Sequence, residues 1–130
     1  MPLKTITAYN VRYGDCFLLE FINDNKSSFV LLDCGYRTGE KTDDKESEKT
    51  PDWEKIAYDI INKLEIKTCK TIDFMLTHLH EDHYNGFETV YDVLNNNGIS
   101  LSNFFTAADF GNGSFSTIFS SISSFKNYIK

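Results

Sequence analysis

The period of apolar and polar positions changes several times along the chain, and each change marks an element. From Leu3 to Val11 β-branched and aromatic residues dominate, so the segment reads as a strand. Gly14-Asp15 reads as a turn. Cys16-Phe17-Leu18-Leu19-Glu20-Phe21-Ile22 is apolar enough to predict a strand buried on both faces. Polar turn residues fill Asn23 to Ser28, and Phe29-Val30-Leu31-Leu32-Asp33 predicts a third strand that closes a hairpin. Charges of both signs crowd Tyr36 to Pro51, which predicts a solvated loop, with a lid beside an active site as the alternative.

The period then switches to that of a helix. Trp53, Ile56, Ala57, Ile60, Ile61 and Leu64 share one helical face. Thr50 is placed to cap this helix and Pro51 to fill its first position, while Asp52 and Glu54 suit its positive end. Ile72 to Thr77 predicts a buried strand, and strand, helix, strand in this order predicts a right-handed crossover. Phe87, Val90, Tyr91 and Leu94 predict a second helix from Phe87 to Asn96, ended at Gly98. Asn103 to Ala107 reads as another strand. Phe115, Ile118, Phe119, Ile122 and Ile129 suggest a final helix in a Ser-rich tail. The resulting fold class is α/β (α+β), with a mixed sheet and flanking helices.

Composition narrows the setting. The 130 residues are 41% hydrophobic and 25% charged, which fits a single folded domain. No apolar run approaches the roughly 18 residues of a membrane span, and the first residues lack a signal-peptide pattern, so the expectation is a cytoplasmic protein without membrane contact. A net charge of -6 disfavours general nucleic-acid binding, while leaving a local basic patch or a metal that contacts phosphate open. Cys16, Cys34 and Cys69 are odd in number and widely spaced, as expected of reduced thiols.

All three histidines lie in Thr77-His78-Leu79-His80-Glu81-Asp82-His83. The segment follows a buried strand and precedes a helix, where open α/β sheets carry ligands. In an extended chain His78 and His80 point to the same side. Neutral imidazole is a good ligand for Zn2+ and related metals. Asp82 and His83, where the chain turns into the helix, can face a second metal about 3.5–4 Å from the first.

This HxHxDH pattern closely resembles the signature of the metallo-β-lactamase-fold hydrolases. Leu31-Leu32-Asp33-Cys34-Gly35 is similar to that family's aspartate-then-glycine strand, and Asn10-Val11-Arg12-Tyr13-Gly14-Asp15-Cys16 resembles the opening of its ComEC-like competence branch. Asn85-Gly86 stands where that branch often has Gly-Gly. The resemblance spans about residues 3–95. It implies one half of a four-layer αββα sandwich, so residues 1–130 would form a single, incomplete domain. It implies that His78 and His80 bind one metal and Asp82 and His83 another. Asp82 would also orient or deprotonate the attacking water, and Asp33 would support the histidine loop through hydrogen bonds. Cys34 would lie near the site without a ligand role, and Glu81 would face solvent. The implied metal is Zn2+, two ions in a complete site, with Mn2+ or Fe2+ as alternatives. The implied substrate is a small ester or phosphodiester, with the competence-like opening tilting toward phosphodiesters. No histidine follows His83, and Asp109 is the one aspartate beyond the second helix that could stand in for the family's bridging carboxylate. The uncovered sheet face of a half-sandwich invites a second chain or a homodimer. Three readings follow: a half-enzyme completed by another chain or copy, a non-catalytic metal-binding or interaction module, and a truncated fragment of such a hydrolase.

Overall fold

The computed structural model of the chain describes residues 2–11, 14–36, 51–77 and 84–106. Their order is β1 (Leu3–Ala8), β2 (Gly14–Asn23), β3 (Lys26–Tyr36), α1 (Trp53–Ile66), β4 (Thr71–Leu76), α2 (Phe87–Asn96) and β5 (Ser100–Thr106). The strands form one sheet in the order β1-β2-β3-β4-β5. β1, β2 and β3 pair antiparallel, whereas β3, β4 and β5 pair parallel. The fold is therefore α+β, with a mixed sheet and flanking helices, as the sequence pattern predicts. The second sheet of a sandwich is not among the described residues. The suggested helix from Phe115 to Ile129 and the Tyr36–Pro51 loop, apart from its two end residues, lie outside them.

Local chemistry explains the boundaries. The β2–β3 turn is shorter than expected because Asp24 and Asn25 both take positive φ, 50° and 63°. Two such residues make the turn whose twist matches a hairpin, so Lys26 to Ser28 are free to pair with β2. Gly14 and Asp15 are not a turn but the start of β2, opposite Tyr36 and Gly35. A side chain at Gly14 would land on the Gly35 carbonyl, so only glycine admits this close approach. The cap of α1 also differs from the expected Thr50 and Pro51. Asp52 is the capping residue, and its carboxylate accepts the Lys55 N–H at 3.0 Å. Gly98 follows α2 at φ 82°, the left-handed stop that the sequence indicates. β5 begins at Ser100, three residues ahead of the expected Asn103.

The helices and one face of the sheet enclose a single core. Leu18, Leu31, Ile72, Phe74 and Leu76 from the strands meet Ile60, Leu64, Val90 and Leu94 from the helices, all buried. Phe74 is its centre, with ring centroids 3.9 Å from Phe87 and 5.2 Å from Phe104. The alternate residues of the strands are apolar too: Phe17, Leu19, Phe21, Val30, Leu32 and Met75 are half-buried on the opposite face. Leu3, Ile6 and Phe105 are exposed on the two outer strands. No described helix is long and apolar enough to cross a membrane.

One charge is enclosed at the sheet. Glu20, 6% exposed, accepts hydrogen bonds from Ser27 Oγ at 2.6 Å and Thr5 Oγ1 at 3.3 Å. Burial pushes its carboxyl up, but Ser27, the Lys4 charge, Thr5 and the Lys67 charge together hold it below its ordinary 4.5. A carboxyl depressed in the folded state stabilises above that ordinary value, and the contribution fades as pH falls through the lowered one. Glu20→Gln is therefore expected to be less stable than the parent at pH 7, with the gap closing toward pH 3. Urea unfolding at the two pH values measures this, and a gap that does not change contradicts it.

Candidate metal centre

The histidine motif spans the connection between β4 and α2. His78, His80, Asp82 and His83, with Glu81, lie outside the described residues. The frame that carries them is described on both sides, and β3 builds it.

Asp33 makes the first clamp. Cys16 pairs with Cys34 and Phe17 with Leu32, so Asp33 is the extra residue of a β-bulge. Its φ is 55°, a left-handed conformation that aspartate tolerates better than most residues. The bulge breaks the alternation of β3, and Asp33 is buried at 3% exposure. Its carboxylate reaches across to the end of β4: Oδ1 accepts the Thr77 N–H at 2.8 Å and Oδ2 accepts the Thr77 hydroxyl at 2.5 Å. Both oxygens thus grip one residue, the one directly before His78.

The second clamp holds the far side of the motif. The Gly86 N–H donates to the Cys34 carbonyl at 2.8 Å. The Asn85 side chain accepts the Tyr36 N–H and donates to the Tyr36 carbonyl, each at 2.9 Å. Trp53, at the start of α1, lies so close over Gly86 that a side chain there would come within 2.4 Å of the indole ring. The Tyr36 ring sits 6.0 Å from the Trp53 ring, centroid to centroid, so the exits of β3 and of the motif meet the entry of α1 at one place. In sequence, Asn85 stands out only as the residue before Gly86 where the resembled branch often has Gly-Gly, and Trp53 only as the start of a helical apolar face. Neither partner across the fold is visible from local pattern.

Cys34 lies between the clamps and is fully buried. Burial pushes its thiol well up, and the neighbouring Cys16 thiol and the Asp33 charge add to this. A buried thiol raised in this way is less reactive than an exposed one.

A second polar cluster was not anticipated. Tyr9 donates its hydroxyl to Asp59 Oδ2 at 2.6 Å, and Lys63 reaches the same oxygen at 2.6 Å. Burial, then Asp59, pushes the Tyr9 hydroxyl up, while Lys63 and Tyr9 outweigh burial in holding Asp59 down. Asp59 and Lys63 stand four apart on α1, a spacing legible in sequence. Tyr9, fifty positions away, is not. The cluster borders a cleft of about 700 Å³. It ties the end of β1 to α1.

Among the described residues no group of three or more metal-ligating side chains occurs. Comparison of the chain with protein-family models, with curated proteins and with solved structures finds no match.

Proposed function

We propose that this chain carries the metal site of a metallo-β-lactamase-type, metal-dependent hydrolase. The observation that carries the reading is the double clamp: the end of β3 holds both Thr77 and Asn85–Gly86, the residues that flank the HxHxDH motif. Thr77 follows the carboxyl end of β4, beside the parallel strand β3, and ligand sites of such sheets lie at that end. Three imidazoles and a carboxylate are a donor set that suits Zn2+, with Mn2+ or Fe2+ as alternatives. His78 and His80 would hold one ion, and Asp82 and His83 a second. A bound ion lowers the pKa of water into the neutral range. Asp82 would orient that water or take its proton. Asp33 would act through Thr77 by fixing where the motif begins. The substrate would be a small ester or phosphodiester, with nucleic acid as one source of the latter. The described cysteines, all thiols, suit a cytoplasmic setting.

A second reading is a metal-binding or interaction module without turnover. The apolar outer face of the sheet, with Leu3, Ile6 and Phe105 exposed, favours it, because such a face calls for another chain or a second copy. Hydrolysis of a chromogenic phosphodiester and a chromogenic ester with added Zn2+ or Mn2+ separates the two. The hydrolase reading expects turnover that disappears in His78→Ala and Asp82→Ala. Turnover equal in parent and variants would come from a contaminant. Metal bound without turnover would select the module.

A further inference from the structure

We propose that Asn85 is a positioning residue for the histidine motif, fixing its exit to the same strand end that fixes its entry. This rests on the reading of the motif as a metal site. The Asn85 carboxamide meets both main-chain groups of Tyr36, accepting its N–H and donating to its carbonyl at 2.9 Å each. That is the pairing a neighbouring strand would make, supplied by one side chain. The next residue continues it, since the Gly86 N–H donates to Cys34. Asn85 follows His83 by two positions, and Thr77 precedes His78 directly. The described residues on either side of the motif are therefore both tied to Asp33 through Tyr36, four consecutive residues of β3.

Fixed ends matter for a site built from several ligands. A loop whose exit is free must lose more conformational entropy when its ligands converge on an ion. Partners that hold ligands in place typically contribute about 10–100-fold to metal affinity. A carboxamide alone among common side chains presents one acceptor and one donor side by side. An aspartate at position 85 keeps the acceptor for the Tyr36 N–H but places a second acceptor against the Tyr36 carbonyl. A turn residue of purely structural value would instead affect the metal-free and metal-bound forms alike.

The test is zinc affinity, by competition with a chromophoric chelator, together with the zinc-induced rise in unfolding temperature. The parent, Asn85→Ala, Asn85→Asp and a control, Asn103→Ala, are compared. The control removes an exposed side-chain amide bond from the outer strand β5 to Asp73 on β4. The proposal expects affinity to fall about 10–100-fold in Asn85→Ala and at least as far in Asn85→Asp. It also expects the zinc-induced rise to shrink in both and the control to match the parent. Parent-like affinity in Asn85→Ala overturns the positioning role and leaves the metal site standing. So does an equal fall in the unfolding temperatures of the metal-free and zinc-bound forms. A parent that binds no zinc overturns both.

Discussion

Asp33→Ala is expected to destabilise the chain by about 2–5 kcal/mol, a large share of the roughly 5–15 kcal/mol that holds a typical domain together. Two terms add. The Thr77 N–H loses a charged acceptor in a nearly closed environment, which costs about 1–3 kcal/mol. The hydroxyl of Thr77, half-buried, can turn elsewhere and adds little. Alanine must then hold φ 55°, and a left-handed alanine costs about 1–2 kcal/mol. The two terms are separable. Asp33→Gly removes the second and keeps the first, so it should be about 1 kcal/mol more stable than Asp33→Ala, the reverse of the usual order inside a strand. Asp33→Asn keeps the conformational tolerance and an acceptor for the Thr77 N–H, and should be the mildest of the three. Urea unfolding measures the series. Equal stability of the glycine and alanine variants would contradict the role given to the bulge, and a loss below about 1 kcal/mol in all three would contradict the clamp.

The elements were legible because their periods are clean. The run Trp53, Ile56, Ala57, Ile60, Ile61, Leu64 needs no tertiary information, and five of the six are buried in α1. The hairpin and the β4 strand were legible for the same reason. The boundaries were not, because single side chains decide them. Asp52 outcompetes Thr50 as the cap by placing its carboxylate on the Lys55 N–H, and Asp24 with Asn25 shortens a turn that polarity alone makes six residues long.

The candidate site divides in the same way. Three histidines within six residues are the sequence signal from which the metal site is proposed. What supports them was partly hidden. Asp33 stood out by its place before Cys34-Gly35, but the bulge that turns it toward Thr77 is a property of pairing with β2, not of β3 itself. The pairings of Asn85 and Trp53 gave no signal, since their partners, Tyr36 and Gly86, are 49 and 33 positions away.

The second large effect is expected at His80. Removing one of few imidazoles from a metal site costs more than the roughly 10–100-fold lost with a supporting partner. His80→Ala is therefore expected to weaken zinc binding by more than about 100-fold. Ligand that binds only the folded state stabilises it, by about 2.7 kcal/mol when present at 100 times its Kd. The parent should gain stability with added zinc, and His80→Ala should gain almost none. The metal-free forms of the two are expected to unfold alike.

The most direct measurement is the metal content of the purified 130-residue chain after exhaustive dialysis, by elemental mass spectrometry, with His80→Ala in parallel. Near-stoichiometric zinc or manganese in the parent, lost in the variant, is the predicted result. A metal-free parent, or the same metal content in both, would contradict a metal site at the motif.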